Sequence, residues 1–167
     1  MTFSVCFAYM EAEREGNYAW ALGVLHSIIG EDVLPDVIVT DRELSLMKAI
    51  NSVLPNARHL LCKWHIKKDV LAKCKKLFET KEKCNRFTLY WNMLVHSSTE
   101  QEYIDHLRKL NQEFSTYPSV LQYVKDSWLD EYKERFVFVW VDKCMHFGNT
   151  TSNRCKTPPR EFPFSVN

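Results

Sequence analysis

Two short segments, Val37-Ile38-Val39-Thr40 and His59-Leu60-Leu61-Cys62, are apolar on consecutive positions rather than alternate ones, and one helix-length stretch separates them. A strand apolar on both sides must be covered on both faces, which is the condition of a parallel sheet. Between the two, Leu44, Met47 and Ile50 recur at helical spacing with Leu46 and Val53, and the pattern stops before Pro55, whose ring disfavours a helical residue ahead of it. Upstream, residues 2 to 9 alternate with a period of two, as a strand does. Trp20, Val24, Leu25 and Ile28 then mark a helix over 17–29, closed by Gly30. The first 65 residues therefore predict β-α-β-α-β, a three-layer α/β arrangement with right-handed crossovers. Ligands of such sheets gather at the carboxyl ends of the strands, where Asp41 and Cys62 fall.

From about residue 66 the periodicity is helical only. One stripe is Val70, Leu71, Cys74, Leu77 and Phe78, and a second is Phe87, Tyr90, Trp91 and Leu94. Thr99-Glu100-Gln101-Glu102 spells a capping box ahead of Tyr103, Ile104, Leu107 and Leu110, and Pro118 opens a segment holding Val120, Leu121, Val124, Trp128 and Leu129. A helical bundle is expected after the sheet. Residues 155–167 (CKTPPREFPFSVN) have no period and are expected to form an irregular, Pro-rich tail.

Hydrophobic residues make up 46% and charged residues 26% of the 167, a globular balance that excludes wholesale disorder. The apolar run from Phe136 to Val141 is far short of the ~20 residues that span a bilayer. The first sixteen residues carry three Glu and no basic n-region, so they read as neither a secretory signal nor a transit peptide. Six cysteines at 6, 62, 74, 84, 144 and 155 form no CxxC pair and read as reduced thiols, most of them small buried hydrophobes.

With 22 Lys and Arg against 21 Asp and Glu, the net charge is only +1. That average hides an asymmetry. From Arg58 to Arg86 there are ten basic and three acidic residues, a net of +7, which leaves −6 for the remainder. The basic residues are Arg58, Lys63, Lys67, Lys68, Lys73, Lys75, Lys76, Lys81, Lys83 and Arg86. Such a face can meet phosphates, and it can equally be a solvated helix surface.

Asp41 stands between a buried strand and a helix, a position from which a carboxylate reaches into a cleft to hold a divalent ion. Thr40-Asp41-Arg42-Glu43 also spells a helix start, with Thr40 or Asp41 as N-cap and Glu43 as box partner. Cys62 and His65 form a C-x-x-H pair. They are either half of a tetrahedral zinc site, with Cys144 and His146 the paired candidates for the other half, or core residues at a strand-to-helix junction. Trp64, Trp91, Trp128 and Trp140 lie among apolar neighbours and read as core rather than as stacking platforms. His26 and His106 lie on helix patterns with no partner in view.

The stretch VIVTDRELSLMKAINSVLPNARHLLCKWHIKKDV resembles the Mutator-like element (MULE) transposase domain, the family that also gave rise to the far-red-impaired-response type of plant regulators. The likeness begins at Thr2-Phe3-Ser4-Val5 and Asn17-Tyr18-Ala19-Trp20-Ala21-Leu22. It continues through Thr40-Asp41-Arg42, Pro55-Asn56-Ala57-Arg58-His59, Cys62-Lys63-Trp64-His65 and Trp140-Val141-Asp142-Lys143, to the residues from His146 to Arg154. This resemblance implies an RNase H-like sheet with an all-helical insertion, here a truncated domain over 1–154 with the insertion at about 66–147. It implies a nuclear location, DNA as partner and a trio of carboxylates, Asp-Asp-Glu, holding two Mg²⁺ or Mn²⁺ ions. On this matching Asp41 is the second carboxylate, and Cys62 and His65 are the family's C-x-x-H motif.

Two departures are expected to matter. The family's first Asp lies on a strand upstream of the Thr2–Val5 strand, so the first Asp and the N-terminal strands are expected to be missing. After Asn153-Arg154 the family continues V-E-S-x-H with its third carboxylate, whereas this chain has Cys155-Lys156-Thr157, with Lys156 at the Glu position and Glu161 offset by five. A lone carboxylate cannot hold two ions, and an ammonium group at a ligand position repels them. No strand-transfer activity is expected, leaving three readings: an inactive transposase piece, a domesticated DNA-binding module with Lys63, Lys67, Lys68, Lys73, Lys75 and Lys76 as phosphate contacts, or a piece that self-associates through an exposed sheet edge.

Overall fold

The computed structural model describes residues 6–30 and 33–142. Helix α1 (Glu15–Ile29) leads to strand β1 (Val37–Thr40), helix α2 (Leu44–Val53) and strand β2 (Arg58–Leu61). The strands pair in parallel, Val37 opposite Arg58 through Thr40 opposite Leu61, as consecutive apolar residues around a helical crossover require. Helices α3 (Lys63–Cys74), α4 (Lys81–Val95) and α5 (Glu100–Glu113) follow. Helix α6 (Pro118–Val124) runs without a break through a π-helical turn at Lys125–Leu129 into α7 (Asp130–Tyr132), a 3₁₀ turn follows at Lys133–Arg135, and α8 (Phe138–Val141) is the last described element. The molecule is mixed α/β and mostly helical.

Local chemistry accounts for these boundaries. Thr99 Oγ1 accepts from the Glu102 N–H at 3.1 Å, and the Glu102 carboxylate returns to the Ser98 N–H at 2.7 Å, a capping box whose return bond reaches one residue further back than the usual pattern. Thr80 caps α4 through the Lys83 N–H, and Pro118 sits in the first turn of α6, where its missing N–H costs nothing. Helix α3 buries Ile66, Val70 and Cys74, and α4 buries Phe87, Trp91, Leu94 and Val95. These meet Phe114, Val120, Val124, Trp128 and Phe136 in a continuous core that Met47 and Leu61 extend into the sheet. Each buried side chain of this size contributes about 1.5–3 kcal/mol of transfer free energy.

The sheet half differs from expectation. Residues 6–10 form no strand, with Phe7 60% and Tyr9 93% exposed, and residues 1–5 lie outside the described residues. The sheet has two strands among the described residues, not three, and is not shown to be RNase H-like. The reason is that an alternating segment becomes a strand only where a backbone edge and an apolar face receive it, and the described part of this one meets neither. Likewise α1 buries no residue: it lies on α2, yet Trp20, Val24 and Ile28 face solvent. Residues 155–167 and the end of the expected insertion lie outside the described residues.

Three arginines tie the sheet to the helices. Arg42 donates to the Ser127 carbonyl within the π-helical turn and lies 4.2 Å from the Trp128 ring centre. Arg58 donates to the Trp140 carbonyl at 2.9 Å, and Arg135 meets His59 Nδ1 at 3.4 Å. Among the described residues no helix is long and apolar enough to cross a membrane.

Candidate nucleic-acid interface beside a strand-end carboxylate

Asp41 and Cys62 are the first residues past the paired ends of β1 and β2, and the Cys62 N–H donates to the Thr40 carbonyl at 2.7 Å. The N-cap of α2 is Glu43, whose carboxylate accepts from the Leu46 N–H at 2.6 Å. This corrects the sequence expectation of Thr40 or Asp41: the chain turns over Asp41 and Arg42 before the helix begins, so the cap falls two residues later. Tyr18 of α1 feels this end of the sheet. Burial, then the charges of Glu13, Glu43 and Asp41, hold its phenol above the ordinary value.

Beneath Asp41 lies a relay that the sequence did not disclose. The Thr40 hydroxyl donates to the Asp41 carbonyl at 2.7 Å, which uses its single proton. His59 Nε2, 2.6 Å from the same oxygen, is thereby assigned as the N–H donor, leaving Nδ1 to accept from Arg135. His59 is buried and neutral. Burial, reinforced by Arg135, lowers its pKa to about 4. The polar residue inside an otherwise apolar strand was the only signal for it.

Cys62 is fully buried at the junction of β2 with α3, and His65 sits in the first turn of α3 with its ring against the edge of Trp64 at 4.7 Å. Cys144 and His146 lie outside the described residues. Among the described residues no three His, Cys, Asp or Glu side chains form a group that could hold a metal ion. A pair of divalent ions needs several oxygen ligands, so Asp41 and its described neighbours do not fit such a pair. Cys6, Cys74 and Cys84 are free thiols, and burial followed by the nearby Cys84 pushes the Cys74 thiol up to about 12. His106, expected to lack a partner, has Nδ1 2.9 Å from the buried Ser97 Oγ. The two residues are nine apart across the α4–α5 turn, beyond the reach of helix periodicity.

The basic segment divides in two. Arg58 holds Trp140, Arg86 pairs with Glu113 at 2.7 Å, and Lys63 is half-buried with Nζ 5.5 Å from the Phe138 ring centre. Burial lowers the Lys63 pKa, and Asp142 partly offsets the shift. The remaining lysines lie on α3, the turn after it and the head of α4. Lys67 is half-buried, while Lys68, Lys73, Lys75, Lys76, Lys81 and Lys83 are exposed. Six exposed lysines and the half-buried Lys67 thus stand against Asp69, Glu79 and Glu82. Trp64, expected in the core, is 41% exposed among them.

Asp41 thus stands at the carboxyl end of a parallel strand pair, and a lysine-rich helix follows the second strand. Residues 1–69 match the MULE transposase domain, a stretch that carries Asp41, Cys62, His65 and the start of α3. Over 125 residues the chain is 28% identical to Protein FAR-RED IMPAIRED RESPONSE 1 of Arabidopsis thaliana, an alignment that covers 74% of this chain. The chain spans 14% of the length of that relative. The resemblance read from the sequence is borne out by both, and together they support a transposase-related chain or a domesticated derivative of one.

Proposed function

We propose that this chain is a transposase-derived nucleic-acid-binding domain, built on an RNase H-like plan over 1–154, whose contribution is electrostatic rather than hydrolytic. The observation that carries the reading is the set of exposed lysines on α3, the turn after it and the head of α4: Lys68, Lys73, Lys75, Lys76, Lys81 and Lys83. Lysines on a solvated helix capture phosphates by releasing counterions, without reading sequence. A nuclear location goes with this reading. No strand cleavage is expected on this reading, because Lys156 occupies the position of the family's last carboxylate.

The test is DNA binding by the whole chain across a salt series. Affinity is expected to fall steeply with salt, by about 0.9 in the logarithmic slope for each phosphate neutralised. Neutralising Lys67, Lys68, Lys75 and Lys76 to Gln is expected to flatten that slope, and failure to bind at low salt overturns the reading. With Mg²⁺ or Mn²⁺ no strand cleavage is expected, and cleavage abolished by Asp41→Asn would contradict the hydrolytic half of it.

A second reading, self-association, is favoured by the exposed Trp20, Val24 and Ile28 on α1 and by a sheet in which, among the described residues, each strand pairs along one edge only. Light scattering across a dilution series checks it.

A further inference from the structure

A groove of about 730 Å³ runs between α3 and the head of α4. Its rim carries Lys68, Lys75 and Lys81, and its floor is Leu71, Ala72, Phe78 and Cys84. The acid on its wall, Glu79, already accepts from the Tyr117 hydroxyl at 3.0 Å. Trp64 stands one helical turn before Lys68, whose Nζ is 5.3 Å from the indole centre. At 100° per residue Trp64, Lys68, Leu71 and Lys75 share one side of α3, opposite the buried Ile66, Val70 and Cys74.

We propose that this groove, with Trp64 at its mouth, binds single-stranded polynucleotide. The inference rests on the nucleic-acid reading above and narrows it. Duplex DNA offers phosphate ridges but keeps its base faces stacked within the helix, and has nothing to lay on an apolar floor. A single strand offers both phosphates for the lysine rim and free base faces for an indole and a hydrophobic floor, the combination used by proteins that hold single strands without sequence preference. An acidic peptide would satisfy the lysines but brings no flat π-face to Trp64. The juxtaposition of ammonium groups, apolar floor and a half-exposed tryptophan is what selects the strand.

The experiment is fluorescence anisotropy on the full chain with three labelled probes: an oligothymidylate of about 12 nucleotides, a duplex of the same length and an oligoglutamate peptide. The single strand is expected to bind about tenfold or more tightly than the duplex. Trp64→Ala is expected to cut single-strand affinity about tenfold and leave duplex affinity within about twofold. Trp64→Phe, which keeps a stacking face, is expected to restore most of the loss. Because Trp64 is exposed, both variants should retain the parent far-ultraviolet circular dichroism, which verifies folding. Equal or tighter duplex binding, or indifference to Trp64→Ala, overturns the single-strand assignment while leaving nucleic-acid binding standing. Silence from both nucleic acids at low salt overturns both. Tighter binding of the peptide than of either nucleic acid reassigns the groove.

Discussion

The residues from α1 to β2 and those from α3 to α8 are held in different ways. In the helical half, Phe114 alone lies within 5.3–6.5 Å, ring centre to ring centre, of Phe78, Phe87, Tyr90 and Tyr117, and aromatic side chains interlock through the whole layer. In the sheet half, α1 buries nothing and the two strands are four residues each. Stability in the first region comes from area removed from water around a closed core. In the second it comes from one crossover packed on the first, plus three arginine contacts across the seam. The lesson is that pattern alone does not bring burial: α2 and β2, whose Met47 and Leu61 join the helical core, bury Ala49, Ile50, Leu60 and Leu61, whereas the equally well patterned α1 buries nothing.

Removing the centre of the helical half gives the largest expected effect. Phe114→Ala deletes a ring that is 1% exposed and touches four others, and is expected to cost about 3–5 kcal/mol in denaturant unfolding, through lost transfer free energy and the cavity left behind. A cost below about 1 kcal/mol would mean that the core repacks freely, and the contrast between the regions would dissolve.

The seam comes next, and pH is the lever. His59 titrates at about 4 in the fold against an ordinary 6.5. The unfolded chain therefore binds a proton that the fold does not between these values, so the His59 contribution is fully present above pH 6.5 and is lost as pH falls toward about 4. The loss is on the order of 2–3 kcal/mol. In His59→Gln the stability–pH curve is expected to be flatter over that window, measured as unfolding midpoints at fixed salt. An unchanged curve would place the acid sensitivity elsewhere.

What was legible in the sequence follows the same division. The strand pair, α2, the Thr99–Glu102 cap and the Pro118 start all rest on signals within four residues of one another, and the structure has them. Trp64, expected in the core, is exposed for a physical reason: the buried positions of α3 recur every four residues at Ile66, Val70 and Cys74, and Trp64, two residues before the first, points about 120° away from the middle of that stripe. The seam was out of reach. Arg42 finds Ser127 across 85 residues, Arg58 finds Trp140 across 82 and Arg135 finds His59 across 76, and no local pattern encodes such pairs. The same distance hid the fact that the Arg58 guanidinium, though exposed, already has a partner in the Trp140 carbonyl.

Arg42 is the next step down. Its guanidinium is exposed, but it holds a carbonyl in the π-helical turn and lies over Trp128. Arg42→Ala is expected to cost about 1–2 kcal/mol, the sum of one charge-assisted hydrogen bond and one cation–π contact. Arg42→Lys should recover less than half, since an ammonium group does not reproduce a planar fork stacked on an indole. Full recovery by Lys would mean that only the charge matters at the seam.

The smallest effect expected is at Trp20, and it carries the sharpest test of the contrast. The side chain is 61% exposed on a helix with no buried residue, so Trp20→Ala removes little packing and gains helix propensity. Unfolding free energy should stay within about 0.5 kcal/mol of the parent. The same substitution at a covered indole costs about 3–5 kcal/mol, so the two outcomes are well separated. If the measured cost is large, something in solution covers α1, and its dependence on protein concentration says what. A cost that grows with concentration identifies a second copy, because the stability of a dimer rises by mass action while that of a monomer does not. A cost independent of concentration assigns the cover to the chain itself, and the thinly packed half would then owe its stability to burial after all.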